Sequence, residues 1–265
     1  MSKATNRRVA RTSRTGTNRA IGPTTVDPAE ITRFAAHADS WWDPNGKFRP
    51  LHKVNPVRLA FLHDRLAAHF GRDATMLKPF EGLRLLDIGC GGGLVAEPMT
   101  RLGFTVVGVD ATAETIATAR LHAEEGGLAI DYRAMAVEEL AATGEQFDVV
   151  LALEIIEHVA DVAAFSKAAA SVLKPGGAFV AATLNRTAKA YLFAVLGAEY
   201  VLGWLPRGTH DWKKFVRPSE LAAALRRNGI RPEEITGVGF NPLRDRWSLT
   251  RDLDVNYMVY GVKGS

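Results

Sequence analysis

Apolar residues in this chain recur at two spacings. Short strand-like runs fall near 83–88, 104–110, 130–134, 147–153, 177–184, 234–240 and 255–262. Between them, residues near 94–102, 113–125, 161–173 and 218–228 carry apolar positions at helical spacing. Apolar, β-branched runs bounded by glycine read as strands covered on both faces. Strand alternating with helix therefore predicts a seven-stranded, mostly parallel, doubly wound α/β sheet with helices on both faces. Such a sheet binds ligands outside the carboxyl ends of its strands. Lys174-Pro175-Gly176-Gly177 reads as a helix stop and a turn into the fifth strand. Only the loop around Asn241 to Thr250 separates the last two strands, which predicts an antiparallel hairpin at the sheet edge.

Ahead of the sheet, residues from Asp27 to about Phe70 read as helices. Asp27 is placed to cap a first helix that starts at Pro28-Ala29-Glu30, carries Ile31, Phe34, Ala35 and Trp41, and ends at Asp43-Pro44-Asn45-Gly46. Pro50-Leu51-His52-Lys53-Val54-Asn55-Pro56 reads as a connection. A second helix over Val57 to Phe70 follows, with Leu59, Leu62, Leu66 and Ala67 apolar and Arg58 in its first turn. The expected organisation is a disordered arm over 1–26, a helical cap over 27–80, and the main domain over 81–265 with an apolar insertion at about 186–217.

Composition narrows this picture. A chain of 265 residues with 47% apolar content suits one α/β domain with extensions. Its net charge of +4 is misleading as a whole-chain figure, because Lys3, Arg7, Arg8, Arg11, Arg14 and Arg19 all precede the first acid, Asp27. Without those six the chain carries 27 basic against 29 acidic residues, so no nucleic-acid groove is expected. The arm, rich in Arg, Ser, Thr and Asn, is expected to be disordered. It is open between a solvated tail, a targeting segment and a contact with an anionic surface. Cys90 is the single cysteine, which excludes a disulfide within the chain and favours a cytoplasmic setting. No evident base stands beside it, so a nucleophilic thiol is not expected.

The candidate chemistry starts at Leu85-Leu86-Asp87-Ile88-Gly89-Cys90-Gly91-Gly92-Gly93, an apolar run that ends in an acid and breaks into a glycine loop. Val106-Val107-Gly108-Val109-Asp110 follows as a second strand capped by a carboxylate. A glycine loop lets backbone approach a ligand at a helix start, and an acid about 20 residues later is placed to accept ribose hydroxyls. The pair predicts an adenosine site with Asp110 on the ribose. Gly91-x-Gly93-x-x-Ala96 would also satisfy a loose dinucleotide fingerprint. Asp87 weighs against that reading, since an acid inside the strand end suits a cationic amine or sulfonium and repels a pyrophosphate. The plainer alternative is that Asp87 caps amides of its own loop.

Asp87-x-Gly89-x-Gly91-x-Gly93, Asp110, Phe147-Asp148-Val149-Val150 and Leu173-Lys174-Pro175-Gly176-Gly177 resemble a Rossmann-like class I S-adenosylmethionine-dependent methyltransferase over about residues 80–185. The flanks sharpen the resemblance. Ser40-Trp41-Trp42-Asp43, Pro50 to Arg58, Thr183-Leu184-Asn185-Arg186, Gly197-Ala198-Glu199-Tyr200, Gly208 to Phe215 and Asp254-Val255-Asn256-Tyr257-Met258 are similar to the ubiquinone-biosynthesis O-methyltransferases. That resemblance implies methylation of a polyprenyl catechol-type intermediate and of demethylubiquinol, with S-adenosylmethionine as donor. It implies Arg58 on the donor's carboxylate, Gly89 and Gly91 at its methionine end with Asp87, Asp110 on the ribose, and Leu153 against the donor near the substrate. Val137 and Glu138 stand where this fold meets adenine, although Glu138-Glu139 also fits a solvated helix start; for Arg58 the alternative is a helix-surface charge.

The catalytic candidates are Glu154, Glu157 and His158, just after the fourth strand. If the chain leaves that strand in helical turns, the three share one face beside the ligand crevice. Two carboxylates and an imidazole suit Mg²⁺ or another hard divalent ion that chelates a catechol and lowers its pKa. Metal-free base catalysis and a purely structural role remain open alternatives at this point. Lys189 to Leu205 is the most apolar stretch, too short to span a bilayer and interrupted by Glu199. Flanked by Arg186, Arg207, Lys213 and Lys214, it fits either an interfacial helix at the inner face of an anionic membrane or a buried helix in a substrate lid. Expected partners are a polyprenylated phenol and other ubiquinone-biosynthesis enzymes. The competing functions are methylation of a small phenol without a lipid tail, and a non-catalytic adenosine-binding scaffold.

Overall fold

The computed structural model describes residues 24–27, 31–32, 40–192 and 212–265. Its strands are β1 Arg84–Ile88, β2 Thr105–Asp110, β3 Asp131–Ala134, β4 Phe147–Leu153, β5 Leu173–Leu184, β6 Ile230–Asn241, β7 Arg246–Thr250 and β8 Asn256–Lys263. The helices are α1 Arg49–His69, α2 Ala96–Arg101, α3 Ala113–Glu125, α4 Val137–Thr143, α5 Val162–Val172 and α6 Pro218–Arg227. The strands form one sheet in the order β3-β2-β1-β4-β5-β8-β6-β7. Pairing is parallel from β3 through β5, and β8 then runs antiparallel to both β5 and β6.

Alternate residues of each strand feed opposite cores, as expected for a sheet covered on both sides. Leu85, Val106, Val149 and Val180 pack with α1, α2 and α3 through Leu62, Leu66, Met99 and Ile116. Leu86, Val107, Val150 and Phe179 pack with α4, α5 and α6 through Leu140, Phe165 and Leu221. Phe61, Leu62 and Leu66 of α1 are all buried, each contributing about 1.5–3 kcal/mol by leaving water. The helix ahead of the sheet thus belongs to the main core.

Several expectations change. Lys174 to Gly177, read as a turn, lies within β5, which begins at Leu173, and α4 falls between β3 and β4 where none of the expected helices lay. The sheet has eight strands where seven were expected, because β7 occupies the stretch read as a loop and pairs antiparallel with β6 at the edge. The antiparallel pairing expected between the strands near 234–240 and 255–262 is present as β6 with β8, but β7 intervenes in the chain and holds the edge, so β8 lies inside the sheet between β5 and β6. The connection expected over Pro50 to Pro56 is instead the start of α1, which holds Pro56 in its interior. Pro50 is tolerated in the first turn, where its missing N–H has no helical partner. Pro56 forfeits a bond to the His52 carbonyl, and burial of the adjoining Val54, Asn55 and Arg58 compensates. The first expected helix, with Phe34 and Ala35, lies mostly outside the described residues.

Candidate active site

A cavity of about 670 Å³ opens at the carboxyl ends of the parallel strands. Arg58 reaches it from α1, Asp87 and Gly89 from the end of β1, Asp110 from β2, Val137 from α4, and Leu153 and Glu154 from β4. Glu157 and His158 reach it from a single 3₁₀ turn over Ile156–His158. Gly91 stands behind this wall and donates its N–H to Asp110 Oδ2 at 3.2 Å. Beyond the turn the chain enters α5, capped by Asp161, whose carboxylate accepts from the amides of Ala163 and Ala164.

The glycine loop is filled from the protein's own side. Gly89 has φ +71° and a Cβ there would lie 2.8 Å from Ile155; Gly91 has φ +53° and its Cβ would lie 2.4 Å from Trp41. Both positions need glycine for backbone and for space. Trp41 stacks on Phe48 and lines the cavity, while Trp42 Nε1 donates to the Gly92 carbonyl at 2.9 Å and stacks on His122. The tryptophan pair therefore clamps the loop.

Two acids sit at the loop's mouth. Asp87 is 3% exposed and its Oδ2 has no hydrogen-bond partner. Burial, and then the neighbouring Asp110 carboxylate, push its pKa up to about 7. An unpartnered buried carboxylate oxygen fits a cation, so capping of the loop amides does not account for it. Asp110 Oδ1 accepts from the Thr112 amide at 2.8 Å, and each of its oxygens keeps a lone pair for a hydroxyl. Burial raises its pKa despite those amides. The residues present fit an adenosyl donor with a cationic methionine end. The Cys90 thiol is pushed up by burial and by these two acids, which agrees with no nucleophilic role.

The acids after β4 do not share a helical face. Glu154 takes a left-handed conformation with φ +57°, and its Oε1 accepts from the Arg58 guanidinium and, at 3.2 Å, from Asn256 Nδ2. Arg58 is 3% exposed, so it is no surface charge. Glu157 is 2% exposed; one of its oxygens accepts from Thr183 Oγ1 at 2.7 Å and the other, Oε1, has no partner. Burial, then the Glu154 carboxylate, raises the Glu157 pKa. The expected Mg²⁺ set of Glu154, Glu157 and His158 is therefore not assembled, because Glu154 is spent on Arg58 and Asn256. Among the described residues no three His, Cys, Asp or Glu side chains gather as a metal site.

A methyltransferase-domain family model matches residues 86–181, the stretch from β1 to β5. Over 240 residues the chain is 60% identical to the ubiquinone biosynthesis O-methyltransferase of Paramagnetospirillum magneticum, covering 91% of this chain and 96% of that one. The enzyme of the same name from Parvibaculum lavamentivorans is 61% identical over 234 residues, with 88% and 92% covered. The chain belongs to the ubiquinone biosynthesis O-methyltransferase family. Among solved structures, magnesium protoporphyrin IX methyltransferase of Synechocystis PCC 6803 with bound SAH superposes with a TM-score of 0.59 at 16% identity, over 88% of this chain and 94% of that one. That likeness speaks for the fold alone.

In this methyltransferase, the stretch Thr25 to Asp27 also lines the cavity. Val26 bridges to Val159, the Ala160 amide donates to the Thr25 carbonyl at 2.8 Å, and the Thr25 hydroxyl donates to Glu138. The arm expected to be disordered to residue 26 is thus held at Thr25 and Val26, and Glu138 is a bonded wall residue instead of a solvated helix start. Residues 1–23 and the apolar stretch from Phe193 to Asp211 lie outside the described residues. Tyr191 and Leu192, at its start, are 44% and 54% exposed. Among the described residues no helix is long and apolar enough to cross a membrane. Sequence reasoning gave no role to Trp41, Asn256 or Trp247. A lone asparagine in the apolar run Val255 to Tyr260 was the available signal, since a buried polar residue is the informative exception.

Proposed function

We propose that the cavity transfers a methyl group from S-adenosylmethionine to a ring hydroxyl of a polyprenylated catechol, and again to the corresponding hydroxyl of demethylubiquinol. The observation that carries this reading is that one cavity joins an anionic end, Asp87 and Asp110, to an apolar chamber lined by Leu51, Val54, Val238 and Phe240. Glu157 also lines this cavity. The donor supplies an electrophilic methyl on a sulfonium, so the products are an aryl methyl ether, a thioether and one proton.

The protein residues divide that work. Asp87 holds the donor's ammonium, Arg58 its carboxylate and Asp110 its ribose, while Val137 and Leu153 enclose the adenine and methionine ends. Glu157 accepts the phenolic proton on its free Oε1, and a carboxylate whose pKa is raised by burial is the stronger base when ionised. Glu154 keeps Arg58 in place. Holding phenol and donor in one dry cavity supplies much of the rate by orientation alone. No step is assigned to a divalent ion.

Because a polyprenyl substrate resides in membrane, the protein is proposed to work in the cytoplasm at its inner face, through Lys189 to Leu205 and beside other ubiquinone-biosynthesis enzymes. Co-sedimentation with anionic liposomes tests that contact, and unchanged binding after Phe193 and Trp204 are made polar argues against it. The catalytic reading is tested by methyl transfer to a short-chain prenyl catechol. Formation of the mono-methyl ether is expected; donor binding without transfer to any phenol overturns it.

A further inference from the structure

Asn256 opens β8, where its backbone pairs with Leu184 of β5 and Val238 of β6. It is 7% exposed and lines the cavity next to Glu154. Its Nδ2 donates to Glu154 Oε1 at 3.2 Å, while its Oδ1 is buried and has no partner. Glu154 Oε1 also takes the Arg58 guanidinium and is therefore a carboxylate. Turning the Asn256 amide over would set its carbonyl against that negative oxygen. The pairing thus fixes which way the amide faces and leaves Oδ1 as an acceptor with nothing to accept. A buried acceptor in that state costs free energy until a donor arrives.

We infer that Asn256 is a substrate-positioning residue, whose Oδ1 accepts a hydrogen bond from the ring hydroxyl beside the one that is methylated. This rests on the phenol-methylating reading above. An amide oxygen is too weak a base to take the phenolic proton, so it serves only a hydroxyl that keeps its own. The reacting hydroxyl is left to Glu157, whose Oε1 is likewise an unpartnered acceptor on a residue lining the cavity. The arrangement selects a vicinal diol. A ring whose neighbouring oxygen is a methyl ether or a quinone carbonyl brings no donor, and leaves two acceptors facing each other. Asn256 therefore favours the reduced, hydroxylated ring over its oxidised or already methylated form.

The test uses the full-length protein, a short-chain prenyl catechol, and the same ring with one hydroxyl. Wild type is expected to prefer the diol by about tenfold or more in kcat/KM. Asn256→Leu, close in size and without polar atoms, is expected to lose most of that preference through the KM for the diol, with a smaller loss on the monophenol. Asn256→Ser, which keeps an acceptor, is expected to recover part of it. Calorimetric binding of S-adenosylmethionine to each variant reports that the cavity is intact, and Asn256→Ser carries the test if the leucine variant does not fold. Equal wild-type rates on the two rings, or equal loss on both in the variants, overturns the assignment while leaving methyl transfer standing. Donor binding without turnover of either ring by wild type overturns the methylation reading and this inference together.

Discussion

The proposed placement of the donor's ammonium beside Asp87 makes donor binding depend on pH, in a direction set by the raised pKa of that carboxyl. Its buried carboxyl has a pKa of about 7, raised by burial and by Asp110. A donor whose ammonium sits beside it favours the ionised form, so binding and loss of this proton are one equilibrium. At pH 7 about half the empty sites hold the proton, and binding there releases about half a proton per site from Asp87. Between pH 8 and pH 6 affinity is expected to fall about tenfold, or ~1.4 kcal/mol. Calorimetry at pH 6, 7 and 8, in buffers of different ionisation heat, measures both affinity and proton count. The donor's own amine also titrates near neutrality, so the informative quantity is the difference between wild type and Asp87→Asn. The reasoning fails if the two proteins show the same pH slope, or if wild type releases no more protons than the variant. A stability effect follows with its own sign. The folded-state pKa lies above the unfolded one, so the contribution of Asp87 is fully present below about pH 4 and is lost as pH rises through about 7. Without ligand, Asp87→Asn is expected to raise Tm relative to wild type at pH 8 and not at pH 4.

Four other outcomes are expected. Glu157→Gln keeps donor affinity within about twofold and lowers kcat by about 10²–10⁴, the usual range for a lost general base; loss of donor binding instead would assign it to the cofactor site. EDTA leaves turnover within about twofold, because Glu154 is committed to Arg58; activity lost on chelation and restored by Mg²⁺ reverses that conclusion. Gly91→Ala, at φ +53° and against Trp41, weakens donor binding and quenches less of the Trp41 fluorescence change on titration, whereas unaltered binding shows that the loop yields freely. Leu66→Ala, fully buried between α1 and the sheet, destabilises by about 2–5 kcal/mol in urea unfolding, and a loss below 1 kcal/mol would mean that α1 is not part of the main core.

The parallel half of the sheet was legible because each strand there carries its signal locally. Apolar runs define β1 to β4, and the structure matches them and the two helices read between β1 and β3 to within a residue or two, while the short α4 between β3 and β4 was not among the expected helices. The antiparallel edge was not. Arg246-Trp247-Ser248-Leu249-Thr250 is short, and its one apolar face, Trp247 and Leu249, is only partly covered, Leu249 being exposed; its pairing with β6 supplies what so short a run does not signal. Pro50 and Pro56 misled in a comparable way. Two prolines six residues apart suggest a break, but one sits in a first turn and the other is outweighed by buried neighbours.

Within the site, sequence placed five acids near one another and could not tell their roles apart, because role here is decided by partners. Asp110 is tied to backbone amides and Glu154 to a guanidinium, while Glu138, held by a threonine hydroxyl on one oxygen, Asp87 and Glu157 each keep one oxygen unpartnered. A carboxylate with its charge matched is a fixed strut; one left unmatched and buried has its pKa raised, as burial raises those of Asp87 and Glu157. The left-handed backbone at Glu154 belongs to the same logic. A conformation that costs of order 1–3 kcal/mol persists because the Ala182 carbonyl, Arg58 and Asn256 all hold the residue there. Glu154 thus ties Arg58 and Asn256 together through one shared oxygen. Under the proposed assignment, displacing Glu154 disturbs the contacts to donor and ring at once, which makes it a strut and leaves proton transfer to Glu157.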